Sequence, residues 1–310
     1  MTNATVVLKT QTILQLPDKN SLPSVLKCCT LIWEEDTLII TPAQSGEKAD
    51  FPALQNRAWL RACLERSLVR QVYLDPALPK PVIEAWADVC ESSGKLVYLR
   101  VPPAPELPRA KRPQPWWIKR LADRLAAPLL LAVISPVLLL VAVTIRLESQ
   151  GPVIFRQWRV GTDGKLFRIY KFRSMHVNAE AQHHDVMGDQ KGLHKLEHDP
   201  RVTRVGRWLR KLSLDELPQL FNVVRGEMSL VGPRPWAVYD AVRIAPELQG
   251  RLNALPGITG PWQVSERSNE LDLYAVTCRD LGYLQSWQLR KDLGILLLTI
   301  PKAVFGVGAY

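Results

Sequence analysis

From Leu125 to Ile145 the chain reads LAAPLLLAVISPVLLLVAVTI, 21 residues without a charge. As one straight helix the run would be about 31 Å long, the thickness of a bilayer core. Pro128 lies near its start and Ser135-Pro136 in its middle. A proline inside a helix removes one backbone hydrogen bond and clashes with the carbonyl four residues back, which predicts a sharp bend. Ser135 is placed to cap the freed backbone from its side chain. Three placements are open: a broken helix that enters and leaves the membrane by one face, a kinked span, or a buried core helix. The flanks favour the first. Lys119, Arg120 and Arg124 precede the run, and Arg146, Arg156, Arg159, Lys165, Arg168 and Lys171 follow it. Positive flanks prefer the cytoplasm, so a straight span strands one cluster outside.

The charge of the whole chain points the same way. Lys and Arg number 40 against 30 Asp and Glu, a formal +10. Residues 1–100 carry 11 of each sign, so the excess lies entirely in residues 101–310. That part needs an anionic partner: nucleic acid, anionic lipid or a phosphorylated substrate. The five cysteines match no zinc spacing, which predicts a reduced, cytoplasm-facing protein. Met1–Leu16 lacks the basic and apolar regions of a secretory leader. A disordered or fibrous chain is excluded, because 47% hydrophobic content supports cores and Gly and Pro follow no period.

Residues 1–101 read as a small α/β accessory domain. DTLIITP (36–42), VRQVYL (69–74) and KLVYLRV (95–101) are strand-like, and NRAWLRACLERSL (56–68) and KPVIEAWADVCESSG (80–94) have helical spacing. Alternating strands and helices predict a βαβαβ, Rossmann-like unit with a parallel sheet. It has no Gly-rich phosphate loop, so dinucleotide binding is not expected. VPPAPELPRAKRPQPWW (101–117) holds six prolines and predicts an extended, semi-rigid linker over 102–118. It ends in Lys111, Arg112, Trp116 and Trp117, the cationic and aromatic mixture that an anionic membrane interface favours. The membrane helix then covers 119–146, and 147–310 form one catalytic α/β domain. LGILLLTIPKAVF (293–305) is too short to span and is interfacial or core.

Three motifs carry chemistry. In QWRVGTDGKLFRIYKFRSM (157–175), Arg159, Lys165, Arg168, Lys171 and Arg173 alternate with aromatics and glycines, either as cations for a phosphorylated ligand or as a solvated face. Strand alternation sets Phe167, Ile169, Lys171 and Arg173 on one side. In RKLSLDELPQLFNVVRGEMSLVGPRP (210–235), Ser213 and Glu216 form a capping box for a helix from Leu214 to Val224. Asp215 and Glu216 at that N-terminus stay ionised, and an ionised Asp can attack phosphorus or bind Mg²⁺. Pro233 and Pro235 hold Arg234 rigidly, which lowers the entropy lost when its guanidinium forks onto a phosphate. LPGITGPWQVSERSN (255–269) is a shaped loop followed by Arg267, or a plain turn before a strand.

These motifs, in this order after a Pro-broken apolar helix, resemble the bacterial sugar transferases, the monotopic polyprenyl-phosphate phosphoglycosyl transferases. The resemblance runs from about Lys119 to Ala309, through KRLADRLAAPLLLAVISPVLLL, GPVIFRQWRVGTDGKLFRIYKFRSM, DPRVTRVGRWLRKLSLDELPQLFNVVRGEMSLVGPRP and PGITGPWQV. It implies a re-entrant membrane helix broken at Ser135-Pro136 and a cytoplasmic-face, inner-membrane location. It implies transfer of a sugar 1-phosphate from a UDP-sugar to polyprenyl (undecaprenyl) phosphate with release of UMP, the first membrane step of exopolysaccharide synthesis. Asp215 matches the family's nucleophile and Mg²⁺ ligand, and Glu216 its partner carboxylate. Arg210, Arg234 and Arg267 match phosphate-holding arginines, and Lys171 joins them.

This chain departs from the family pattern at Leu255-Pro256, where an Arg is usual. It departs also at Pro261 and Glu266, in place of Leu and Gly, and at Glu227, in place of Asp. The first two lie near the presumed sugar or nucleotide pocket. Longer members carry transmembrane helices before a Rossmann-like domain. Residues 1–101 are accordingly expected to be a truncated relic or a self-association module that pairs two copies. Two other classes stand against this reading: a polyprenyl-phosphate glycosyltransferase releasing UDP, and a non-enzymatic membrane-docked scaffold. No nucleic-acid reader is recognisable. His183, His184, His194 and His198 lack a further ligand set and read as an exposed loop rather than a zinc site.

Overall fold

The β-branched runs of the first hundred residues pair into one sheet. In the computed structural model, which describes residues 29–43, 54, 56–177, 179, 199–265 and 272–305, the strands are β1 (Cys29–Glu34), β2 (Thr37–Pro42), β3 (Gln71–Leu74) and β4 (Leu96–Leu99), in that spatial order. β2, β3 and β4 are parallel, in register Leu38–Val72–Val97 and Ile40–Leu74–Leu99. Parallel neighbours need crossovers, and α1 (Arg57–Arg66) and α2 (Lys80–Ser92) supply them. Asn56 caps α1 by accepting from the Ala58 and Trp59 amides. Gly94, at φ +67°, ends α2 while the Lys95 amide reaches back to the Cys90 carbonyl at 2.9 Å. The expected strands and helices are present, and one strand was not foreseen. β1 pairs antiparallel with β2 through a two-residue turn in which Glu35 has φ 51°. Cys90, near the end of α2, is buried, and burial pushes its thiol up to about 12.

The chain divides into two compact units, residues 1–101 with 164–166, and residues 102–163 with 167–310. In the second unit the expected extended linker is largely helical. α3 (Pro108–Lys111) follows Leu107, and α4 (Pro113–Glu148) begins two residues later. Proline fits the first turn of a helix because its missing amide has no partner there anyway. The prolines at 108, 113 and 115 therefore start helices rather than extend the chain.

α4 is 36 residues long and continues through Pro128 and Pro136. Pro136 leaves the Ala132 carbonyl without an amide, and the Ser135 hydroxyl donates to that carbonyl at 2.8 Å. One stripe of α4 faces the rest of the unit. Lys119 and Asp123 are buried at its start. Ala127 packs with Phe167, Ile169, Leu220, Val223 and Met228, joined by Leu131 and Ile134. Val141 and Ile145 pack with Phe172 and Leu209, joined by Leu138. These positions recur every three or four residues, the period of a helix face. The remaining surface is apolar and exposed, including Leu129, Val133, Leu139 and Leu140, and only 11% of the most apolar window is buried. A soluble core helix does not leave such a face in water, so the core placement loses to membrane association.

The stripe is fastened at its start. The Lys119 ammonium lies 2.6 Å from Asp292 and 2.9 Å from the Val231 carbonyl. Asp123 accepts from the Ser229 hydroxyl at 2.7 Å and the Leu230 amide at 3.1 Å.

The remaining elements are β5 (Ile154–Val160) and β6 (Leu166–Phe172), paired with each other; α5 (Arg204–Lys211); α6 (Gln219–Val224); β7 (Ser229–Val231); α7 (Val238–Ala241); β8 (Gly257–Thr259), parallel to β7; α8 (Pro261–Ser265); α9 (Leu273–Gln285); and α10 (Leu289–Phe305). Trp287, between α9 and α10, is buried in a cluster with Leu107, Tyr283 and Leu284, and its indole N–H donates to Asp292 at 3.1 Å.

Candidate active site

The segment carrying Asp215 and Glu216 is built differently from the expected capped helix. Ser213 adopts a left-handed conformation, φ 55°, and its side chain makes no capping bond. Its amide closes the end of α5 on the Arg210 carbonyl at 3.0 Å. Leu214–Glu216 then form one 3₁₀ turn, and α6 starts only at Gln219. Pro218 accounts for the difference. It has no amide for the Leu214 carbonyl, which takes the Leu217 amide in a tighter 3₁₀ bond at 3.2 Å.

Successive side chains on a 3₁₀ turn diverge by about 120°, and the two carboxylates part. Glu216 lines a small open cleft with Arg159, Ile169, Lys171, Gln219, Arg234, Pro235 and Ile258. Its Oε1 lies 2.7 Å from the Lys171 ammonium and 3.3 Å from the Arg234 guanidinium. Asp215 is buried beside the cleft. Its ionisation is not secured by a helix N-terminus, as the sequence suggests. Burial raises its carboxyl above the usual carboxylate range, Lys171 pulls it back, Glu216 raises it again, and Arg210 and Arg234 lower it.

Strand alternation delivers Lys171. Phe167 and Ile169 on the same side of β6 are buried, and the next residue on that side opens into the cleft. Burial lowers the Lys171 ammonium from its usual value, and Glu216 opposes that shift. Arg210, at the end of α5, donates from Nε to the Ser174 hydroxyl at 3.0 Å, and burial lowers its guanidinium while Asp215 raises it. Arg234 also lies over the Trp262 ring, 5.8 Å from its centre.

The GPRP and PGITG motifs are one structure. The Gly232 amide donates to the Thr259 carbonyl, and the Gly257 amide to the Pro233 carbonyl, both at 2.9 Å. A Cβ at Gly260 would sit 2.1 Å from the Gly232 carbonyl oxygen, so the two turns close only with glycine there. The second motif is thus a strand followed by helix α8, not a plain turn.

Asp215, Glu216, Lys171, Arg210 and Arg234 come together; Arg267 and the four clustered histidines lie outside the described residues. Of the five cations in the strand motif, Arg173 has another task. It donates to the Gln150 and Ser149 carbonyls, both at 2.8 Å, at the end of α4. Arg168 stacks on Trp158 at 4.3 Å. Arg159, one of those five cations though not among the residues matched to phosphate holding, lines the cleft and donates to the Pro235 carbonyl at 3.1 Å. It sits on the strand that pairs with the one bearing Lys171. Among the described residues no group of three His, Cys, Asp or Glu side chains could hold a metal ion.

The family profile described as bacterial sugar transferase matches residues 114–306, more than half of the chain, and the chain belongs to this family. Among its relatives, the UDP-glucose:undecaprenyl-phosphate glucose-1-phosphate transferase of Caulobacter vibrioides is 46% identical over 201 residues, covering 62% of this chain and 72% of its own. The undecaprenyl-phosphate glucose phosphotransferase of Komagataeibacter xylinus is 38% identical over 259 residues, covering 79% and 45%. The galactosyl transferase CpsE of Streptococcus agalactiae is 42% identical over 194 residues, covering 62% and 43%. The chain therefore spans less than half the length of the latter two.

Proposed function

We propose that this chain transfers a sugar 1-phosphate from a UDP-sugar to undecaprenyl phosphate and releases UMP. The observation that carries the reading is the buried Asp215 set among Lys171, Arg210 and Arg234, next to a cleft lined by Glu216. A carboxylate oxygen of Asp215 attacks the sugar-bearing phosphorus, and the bond from that phosphorus to the oxygen of the UMP leaving group breaks. A phosphate oxygen of the lipid then attacks the same phosphorus and frees Asp215. Glu216 receives the proton of the lipid phosphate. Lys171, Arg210 and Arg234 neutralise charge on the transferring phosphoryl group, and Arg267 is assigned to the same task by resemblance. Mg²⁺ is commonly held by one or two carboxylates with the remaining positions filled by phosphate and water. Asp215 suits that donor set, and the ion would supply charge neutralisation at the diphosphate.

α4 is read as re-entrant, with the catalytic unit on the cytoplasmic face of the inner membrane. In support, Ala127 before Pro136 and Val141 and Ile145 after it all pack on the same unit, which one side of a bilayer must then hold. Lys111, Arg112 and Arg124 would meet anionic headgroups. Residues 1–101 are assigned a pairing role between two copies, supported by Ile32 and Trp33 exposed on edge strand β1. A dimer unaltered in sedimentation by Trp33→Asp would discard that assignment.

The decisive assay incubates membranes carrying the protein with undecaprenyl phosphate and a panel of UDP-sugars. UMP release that is lost in Asp215→Asn is expected. Release of UDP, or an Asp215→Asn variant at full turnover, overturns the reading.

A further inference from the structure

Arg251 and Asp280 form a buried ion pair away from the carboxylates of the cleft. Arg251 belongs to the 3₁₀ segment Pro246–Asn253 and Asp280 to α9, and they are 3% and 1% exposed. The Arg251 Nε and Nη2 atoms donate to one Asp280 oxygen at 3.0 and 2.6 Å. Burial lowers the Arg251 guanidinium and raises the Asp280 carboxyl, and each partner opposes the other's shift. Such a pair is weak evidence for stability, since desolvation cancels much of the attraction. Its geometry suggests a different use.

Nη2 of Arg251 also donates to the backbone carbonyl of Arg234, and the guanidinium lies over the Trp236 ring at 4.9 Å. The turn that carries Arg234 cannot fasten itself in the ordinary way. Pro233 and Pro235 have no amides to give, so the turn must be held through its carbonyls. Three consecutive carbonyls are held by donors from other elements. Gly257 takes that of Pro233, Arg251 that of Arg234, and Arg159 that of Pro235. Between the outer two, Arg251 fixes the peptide from which the Arg234 side chain sets out toward Glu216.

We propose that Arg251, clamped by Asp280, is a positioning residue. It sets the angle at which the Arg234 guanidinium meets Glu216 and the diphosphate of the donor. The inference rests on the reading of Arg234 as a phosphate ligand. Geometric errors of this kind raise KM and lower kcat/KM without unfolding the protein.

The test uses the full chain in membranes and the double substitution Arg251→Met/Asp280→Leu, which removes both charges together and refills the space with apolar groups. Its melting temperature should stay near that of the parent, while KM for the UDP-sugar rises about tenfold, the effect of one lost oriented hydrogen bond. In an Arg234→Ala background the same double substitution should cost nothing more, because the side chain it positions is gone. Parent-like kinetics, or losses that add fully to those of Arg234→Ala, overturn the proposal. Should the double variant not fold, Arg251→Lys enters the same cycle. It keeps a charge for Asp280 but cannot fork to both acceptors, and non-additivity is again expected where additivity refutes. An unchanged KM in Arg234→Ala alone refutes the phosphate reading instead, so the two failures are distinct.

Discussion

Replacing Lys171 with Met takes a cation from both carboxylates of the site and leaves a side chain of similar length in its place. The Lys171 ammonium stands 2.7 Å from Glu216, with both side chains about 85% removed from water (15% and 14% exposed). At an effective dielectric of about 20, unit charges at that distance attract by about 6 kcal/mol. Desolvation of both groups offsets much of this, and an opposite charge in contact lowers a carboxyl by about 1–3 units, roughly 1.4–4 kcal/mol. Arg234, 3.3 Å from the same Glu216 oxygen, takes over part of the task. The sign is fixed by the direction at Asp215. Burial already raises its carboxyl, and Lys171 is the foremost group lowering it. Without Lys171 the carboxylate form appears only at higher pH, so the acid limb of kcat/KM moves up. The assay is UMP release against pH under subsaturating donor. An acid limb that stays in place would refute the assignment of Lys171 as the cation that keeps the nucleophile ionised.

Asp215→Asn should abolish turnover yet raise the melting temperature, since a carboxyl whose folded value lies above its unfolded one destabilises the fold once pH passes the unfolded value. The gain should shrink as pH falls toward that unfolded value, as thermal scans at several pH values would show. Lys119→Met leaves buried Asp292 without its cation and should cost about 3–5 kcal/mol in denaturant titration; a loss below 1 kcal/mol would count against the clamp at the start of α4. Asn222→Ala strands the Tyr170 amide and the Arg168 carbonyl, which Asn222 joins at 3.0 and 2.7 Å, and should lower stability by about 2–4 kcal/mol with a KM close to that of the parent.

Where spacing alone dictates structure, the sequence was readable. The helices and parallel strands of residues 1–101 follow from period and from Gly94, and the face of β6 that ends in Lys171 follows from alternation. Other features depend on contacts between distant residues. Ser213-x-x-Glu216 has the letters of a capping box, but Pro218 and the end of α5 impose a left-handed residue and a 3₁₀ turn. The prolines of 102–118 suggested extension, while their positions in first turns made them helix starters. Arg173 looked like a phosphate cation, yet the Ser149 and Gln150 carbonyls just past α4 claim it, and Arg159 gained its place through a carbonyl 76 residues away. Strand β1 went unread although Thr30, Ile32 and Trp33 are residue types that strands favour.

The fastening of α4 has a rotational consequence. Lys119 and Asp123 are pinned to groups on the catalytic unit, and every later contact of the helix, from Ala127 to Ile145, keeps phase with them. Each residue of an α-helix turns the chain by about 100° and advances it by about 1.5 Å. One residue inserted after Arg124 therefore swings the packed stripe a quarter-turn or more toward lipid and brings the outer leucines against Phe167 and Phe172. An insertion of seven residues, nearly two whole turns, would restore the azimuth to within about 20° while pushing the Ser135-Pro136 step about 10 Å further along the axis. The helix thus carries two separable settings, a bearing and a depth, and the buried anchor at its start fixes the zero of both.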